Sequence, residues 1–359
     1  MDVEKVFHMK GGLGDTSYFK NSSIQKSVGE KMKEITLEAI EETYYALRPQ
    51  SVGIADLGCS TGFNSLLYTK MIVEAVERAS RAIEQASPEF RLCLNDLPTN
   101  DFNTIFQALP NFYEELKKKA TINPKILLLV AAYPGNFYGR LFPEKSLHFV
   151  FSLSSLHWLS RIPRGIFDKV GRSLNKNSIY ITEKSPPQVC EAYAKQFEED
   201  FAVFLDARSE EVVTGGRMVL VMTARNRSDY FSGDSTFLWE LLYQSFLTLV
   251  HKGRIEEERV ESYDVHYYEP CKQEIQDIVT KQGSFKLDRL EILEKDVILS
   301  VSGVAIAKTV RAVQESMISL HFGEGILDEL FDEYGKLMEI EKATKKIKVI
   351  DIALVLRKL

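Results

Sequence analysis

Two acids, each at the end of an apolar run, are the residues best placed to hold a polar small molecule. Asp56 closes VGIAD (Val52 to Asp56) just ahead of a turn containing Gly58 and Gly62, and Asp96 follows FRLCLN (Phe90 to Asn95). A carboxylate at a strand's carboxyl end can accept hydrogen bonds from a ribose diol, and glycine lets the backbone approach a ligand closely. The turn's G-x-x-x-G spacing is neither the dinucleotide fingerprint nor a P-loop. On this pattern alone it fits a cofactor site or a structural turn equally well, and Asp96 could instead cap the next helix. A second group, Ser154-Ser155-Leu156-His157-Trp158, follows a strand directly and sets an imidazole beside an indole. With no acid or nucleophile next to His157, a hydrolytic triad is not supported, and Cys59-Ser60 is no nucleophile elbow. The plain alternatives are a Trp that plugs the core and a His hydrogen-bonded in place. A third group, Tyr18, Ser22, Ser23 and Gln25, sits in an irregular N-terminal stretch rich in Gly, Ser, Asn and Lys.

The elements that must position these groups read as alternating strands and helices. Strand-like runs at about 52–57, 90–95, 125–132, 147–152, 178–182 and 218–223 are separated mostly by helical patterns at about 26–47, 64–83, 101–116, 164–174 and 187–208. That alternation predicts a mainly parallel sheet covered on both faces. From residue 235 onwards helices dominate, at about 236–251, 272–282, 305–321 and 326–339, with strands near 285–292 and 349–356. The extra helices predict a cap over the carboxyl edge of the sheet. The expected organisation is an arm over 1–25, a core over 26–230, a helical cap over 231–340 and a return to the sheet over 341–359.

Composition narrows the partners. The 359 residues carry a net charge of -6 and no basic arm, which argues against nucleic acid or an anionic membrane as the main partner. Lys117-Lys118-Lys119 reads as a solvated helix end. Cys59, Cys93, Cys190 and Cys271 are scattered, with no metal-ligand spacing, so reduced thiols, no metal and a cytoplasmic location are expected. The longest apolar run, Ile126 to Ala132, is too short to span a bilayer.

Seven ordered blocks together carry a resemblance that no single motif would. They are HMKGGLGDTSYFKNSSIQ (His8 to Gln25), ADLGCSTGFNS (Ala55 to Ser65), LNDLPTNDFN (Leu94 to Asn103), PGNFYGRLFP (Pro134 to Pro143), SSLHWLSRIP (Ser154 to Pro163), SEEVVTGGRMVL (Ser209 to Leu220) and HFGEGILDELF (His321 to Phe331). Nearly end to end, the chain resembles the plant SABATH methyltransferases, which methylate the carboxyl of salicylate, benzoate, jasmonate and similar acids, or a ring nitrogen of xanthines. The resemblance implies an α/β fold with a Rossmann-like methyltransferase core under a helical cap, S-adenosyl-L-methionine as cofactor, a small carboxylic acid as substrate and a homodimer. It implies a cofactor site at Tyr18, Ser22, Asp56, Gly58, Cys59, Asn64, Asp96, Leu97, Asn136 and Phe137. Within it, Asp96 would hold the ribose, and Leu97 and Phe137 the adenine. Gln25 and Trp158 would hold the substrate carboxylate, with Ser154, His157, Leu238, Trp239 and Tyr268 as pocket walls.

Phe63 and Asn136 depart from the family's common Pro and Ser, and Ser154 stands where salicylate-type members often carry Tyr, leaving room for a bulkier or more flexible acid. A metal site that some members place near Asn175, Glu261, Tyr263 and Asp264 is not expected here, because the residue types differ. N-methylation of a xanthine-like heterocycle is the alternative activity, and a non-catalytic relative the third reading.

Overall fold

A computed structural model describes residues 7–12, 14–61, 63–118, 123, 125–230, 236–296, 301–343 and 348–359, apart from the side chains of residues 23–28, 63, 295 and 296. The Gln25 and Phe63 side chains and Gly62 therefore lie outside the described residues. Strands β1 (Ser51–Leu57), β2 (Glu89–Asp96), β3 (Leu128–Pro134), β4 (Leu147–Leu153), β5 (Val212–Thr223), β6 (Phe285–Asp296) and β7 (Lys348–Lys358) form one sheet in the order β3-β2-β1-β4-β5-β7-β6. The first five run parallel, and β7 is antiparallel to both β5 and β6.

Alternate residues of the central strands feed two cores, as the two-residue period of a strand requires. Ile54, Phe149, Phe151, Val219 and Val221 pack beneath helices α2 (Ser23–Leu47), α3 (Phe63–Ala82) and α4 (Phe102–Lys117), alongside Met32, Val73 and Phe112 from those helices. Ala55, Val150, Met218 and Leu220 face the opposite core, with Phe197, Phe201 and Phe204 of α5 (Pro187–Glu211). Burial on both faces is why these strands read as continuous apolar runs.

The cap comprises α6 (Thr236–His251), α7 (Glu257–Glu261), α8 (Lys272–Gln282), α9 (Gly303–Phe322) and α10 (Leu327–Glu341), and a short helix α1 (Tyr18–Asn21) lies in the N-terminal arm. The arm is tied to α9 by Lys10 N–H to the Ala312 carbonyl at 2.9 Å, and by the Ser316 hydroxyl to the His8 carbonyl at 2.9 Å. Among the described residues no helix is long and apolar enough to cross a membrane.

Two expected elements are absent. Residues 164–174 form turns, not a helix, because Gly165 and Gly171 adopt φ values of 91° and 81°, and Asp168 Oδ1 accepts the Val170 and Arg172 N–H groups. Residues 178–182 form no strand. Ile179, Tyr180 and Ile181 are buried, but β1 and β5 already pair both edges of β4, and the Asn175 amide and Ser178 hydroxyl take the Tyr180 carbonyl instead. Strand β5 begins directly after α5, earlier than expected, and Gly215 and Gly216 lie within it at an irregularity in the β4 pairing. A Cβ on Gly216 would stand 2.8 Å from Val212 Cγ1 and 3.0 Å from the His148 carbonyl.

The end of α5 also fixes the loop after β3. Arg208, with no side-chain exposure, donates from Nε to Glu211 Oε2 at 2.7 Å, from Nη1 to the Phe137 carbonyl at 2.9 Å and from Nη2 to the Gly139 carbonyl at 2.8 Å. Glu211 Oε1 accepts the Leu141 and Phe142 N–H groups at 2.6 and 2.9 Å. Removing one member strands a buried charge. Arg208→Met is expected to lower the unfolding free energy in urea by about 3–5 kcal/mol. Lys281→Ala, which breaks a solvent-exposed pair with Glu198, should leave the urea midpoint nearly unchanged; equal losses would contradict this account.

Candidate active site

A cavity of about 180 Å³ opens along the carboxyl edge of the sheet, between the strands, the arm and the cap. Its first end is built by β1 and β2. Gly58 turns the chain out of β1 at φ 82°, and a Cβ there would stand 2.1 Å from Ser155 Oγ, so a side chain is excluded. At the tip of β2, Asp96 accepts Ser60 N–H at 2.7 Å through Oδ2 and Leu97 N–H at 2.8 Å through Oδ1. The cap of α4 is a different residue, Asp101, whose side chain accepts Thr104 N–H at 3.1 Å. Asp96 is thus left to face the cavity.

Burial pushes the Asp96 carboxyl up to about 6 against the two N–H bonds, and pushes Asp56 up to about 7. Burial, together with the charges of Asp96 and Asp56, also raises the Tyr18 phenol, which stays neutral and able to donate. The Ser60 hydroxyl lines the cavity, is buried and has no hydrogen-bond partner among the described residues. An adenosine-type group fits this end: a carboxylate for a diol, an orphan hydroxyl, a glycine cradle, and the Leu97 and Phe137 side chains beside them.

The second end is aromatic. Trp158 follows β4, and its ring centroid lies 4.8 Å from Phe7 of the arm, 5.1 Å from Tyr267 and 6.4 Å from Trp239 of α6. The Tyr138 hydroxyl donates to the Trp158 carbonyl at 2.7 Å and holds that turn in place. His157 is buried, and its Nδ1 accepts Thr223 N–H at 3.1 Å. The neutral ring therefore carries its proton on Nε2, and burial pulls its pKa down to about 3. No Lys or Arg stands among the described lining residues.

Of the residues expected at the cofactor site, Tyr18, Gly58, Asp96, Leu97, Asn136 and Phe137 line the cavity. Ser22, Asp56, Cys59 and Asn64 do not; Asn64 Nδ2 donates to Ser22 Oγ at 3.3 Å behind the wall, and Asp56 and Cys59 are buried beneath it. Of the expected substrate walls, Ser154, His157, Trp158, Leu238 and Trp239 line the cavity. Tyr268 does not. It turns into the core, where its hydroxyl donates to Glu274 at 2.8 Å and its ring lies 5.3 Å from Phe197. Its neighbour Tyr267 takes the cavity side, because a bridge pairing Trp158 with Tyr267 sets which tyrosine faces inward. Sequence reasoning also missed Ser60, Thr223, Glu269 and Asp351. The signal for Thr223 was its place at the carboxyl end of a strand; Asp351 and Glu269 gave none.

Comparison with known proteins agrees with this geometry. The family described as "SAM dependent carboxyl methyltransferase" matches residues 4–359. A probable jasmonic acid carboxyl methyltransferase from Theobroma cacao is 44% identical over 100% of both chains, and a 3,7-dimethylxanthine N-methyltransferase from Camellia sinensis var. assamica is 39% identical over 99% of this chain and 97% of its own. The solved structure of a loganic acid methyltransferase with SAH superposes with a TM-score of 0.86 at 34% identity, covering 98% of each chain. With its sheet order, glycine turn and capped cavity, the chain belongs to the S-adenosyl-L-methionine-dependent carboxyl methyltransferase family.

Proposed function

We propose that the chain esterifies a small aromatic or oxylipin-type acid, with Asp96 on the cofactor ribose and with Trp158 and Gln25 aiming the substrate carboxylate. The supporting observation is a single cavity that runs from the Asp96 end to an aromatic chamber with neutral donors and, among its described lining residues, no cation. When bound, S-adenosyl-L-methionine supplies an electrophilic sulfonium methyl. An acid of ordinary pKa is already ionised at pH 7, so no side chain has to remove a proton. What the protein must supply is alignment. Neutral N–H donors fix a carboxylate oxygen without neutralising it, whereas a Lys or Arg would blunt its nucleophilicity. His157, held neutral by burial and by its Thr223 bond, shapes the wall and takes no proton. Tyr138 acts by holding the Trp158 backbone. The reading includes a cytoplasmic homodimer, which sedimentation and cell fractionation would test.

Incubation with labelled S-adenosyl-L-methionine and salicylate, benzoate, jasmonate, indole-3-acetate and two xanthines is expected to give base-labile label on an acid. Base-stable label on a xanthine would reverse the assignment. Trp158→Phe keeps a ring but loses the indole N–H. It should lower kcat/KM for the acid about tenfold while leaving the affinity for S-adenosyl-L-homocysteine within about threefold.

A carboxylate that binds a diol must be ionised. With Asp96 titrating at about 6, the ionised fraction falls as pH drops through that value, and S-adenosyl-L-homocysteine should bind about tenfold more weakly at pH 5 than at pH 8. Asp96→Asn should bind weakly at both. Calorimetry on the two proteins checks this; a wild-type affinity that is flat with pH would refute the ribose role.

A further inference from the structure

Ser155 lies in the turn after β4, buried in the cavity wall, and that turn decides where its hydroxyl goes. Ser154 leaves the strand at φ 62°, a left-handed backbone uncommon outside glycine, and its N–H donates to the Val221 carbonyl at 2.8 Å. Trp158 N–H then donates to the Ser155 carbonyl at 3.1 Å, so one short turn carries the serine at its start and the indole at its end. Neither can shift without the other. The turn lays the serine across Gly58. A Cβ on Gly58 would collide with Ser155 Oγ and would stand 3.9 Å from Phe137 Cε1, so the three residues converge on one point of the wall. The Ser155 hydroxyl donates its hydrogen to the Gly58 carbonyl at 3.5 Å. Among the described residues no donor reaches its oxygen, which keeps both lone pairs for a ligand.

The sheet order puts this point between the two ends of the cavity. Along the carboxyl edge the strands run β2 with Asp96, β1 leading to Gly58, and β4 leading to Ser155 and Trp158. Neighbouring strands stand about 4.8 Å apart. In S-adenosyl-L-methionine a single methylene joins the sulfur to the ribose ring. A ribose held at Asp96, with the methyl directed at the Trp158 chamber, therefore brings the sulfonium over Gly58, against the Ser155 oxygen.

A hydroxyl oxygen attracts a cation and offers little to a neutral thioether. We infer that Ser155 reads the positive charge of the methyl donor, so that the site prefers S-adenosyl-L-methionine to S-adenosyl-L-homocysteine, the spent form that has lost both methyl and charge. As the acid's oxygen gives a lone pair to the methyl carbon, the bond from that carbon to sulfur breaks and its electron pair stays on sulfur. The sulfonium's positive charge and the carboxylate's negative charge are both gone, and Ser155 neither gains nor loses a proton. Its attraction ends with the charge, which eases release of the product. This role rests on the proposed reading only in placing the ribose at Asp96; which acceptor is methylated does not enter.

Calorimetry without any acceptor, titrating S-adenosyl-L-methionine and S-adenosyl-L-homocysteine separately into the wild type and Ser155→Ala, tests this. The variant is expected to bind S-adenosyl-L-methionine about tenfold more weakly while its affinity for S-adenosyl-L-homocysteine stays within about twofold of the wild type. In turnover with saturating acceptor, the KM for S-adenosyl-L-methionine should rise by a similar factor, leaving the variant more sensitive to its own product. If Ser155→Ala binds neither ligand, Ser155→Cys takes its place, and its thiol, a weak acceptor, must lower the ratio of the two affinities about threefold or more. Equal losses for both ligands would reduce the serine to a structural part of the turn, and unchanged affinities would give it no part; either result overturns this inference and leaves the ribose at Asp96. An S-adenosyl-L-homocysteine affinity that is the same in Asp96→Asn as in the wild type would remove the ribose placement and the role of Ser155 with it.

Discussion

The buried pair of Arg208 and Glu211 is the constraint on which the geometry of the site rests. One guanidinium and one carboxylate, both without side-chain exposure, satisfy four backbone groups between Phe137 and Phe142. That loop carries Asn136 and Phe137 to the cavity. The pair also sits where α5 passes directly into β5, so the same interaction sets the start of the strand that ends at Thr223. A charged pair costs a great deal to bury, and here the added backbone bonds compensate that cost. In return one fixed point serves both ends of the cavity.

Electrostatics divides the cavity. At the β1 and β2 end, burial raises both the Asp56 and the Asp96 carboxyls well above the ordinary range, and Asp96, the one that lines the cavity, is within reach of a ligand's hydroxyls. In the aromatic chamber, the donors are neutral. A positively charged methyl donor at the junction would then meet an incoming carboxylate with no Lys or Arg among the described lining residues to compete with it.

Much of the architecture was legible in the sequence because it follows periodicity. Helices 236–251 and 272–282 coincide with their expected limits, and of the parallel strands β1, β2, β3 and β4 come within a few residues of theirs. The failures have local causes. The pattern over 164–174 looks helical only if Gly165 and Gly171 are ignored, and those glycines adopt the left-handed backbone that ends a helix. Ile179 to Ile181 are as apolar as a strand, yet pairing is a property of the whole sheet and both neighbouring positions were taken. In the site, residues on strand ends and next to glycine turns could be read in advance. The resemblance implies Tyr268 where Tyr267 faces the cavity: adjacent residues on an extended segment face opposite ways, and only the bridge to Trp158 says which faces inward. Asp351 looks like an ordinary charge at the start of a strand until the antiparallel return of β7 brings it beside Thr223.

That return strand has a consequence for how the molecule can change. Because β7 enters between β5 and β6, its N-terminal half meets the chamber far from the strands that face the cofactor end. Substitutions there and in the neighbouring cap alter what the enzyme recognises while the donor-binding half keeps its contacts. A lineage carrying such a sheet can drift from one acceptor molecule to another by small steps, each intermediate remaining folded and loaded, and so acquire new products without first having to rebuild its chemistry.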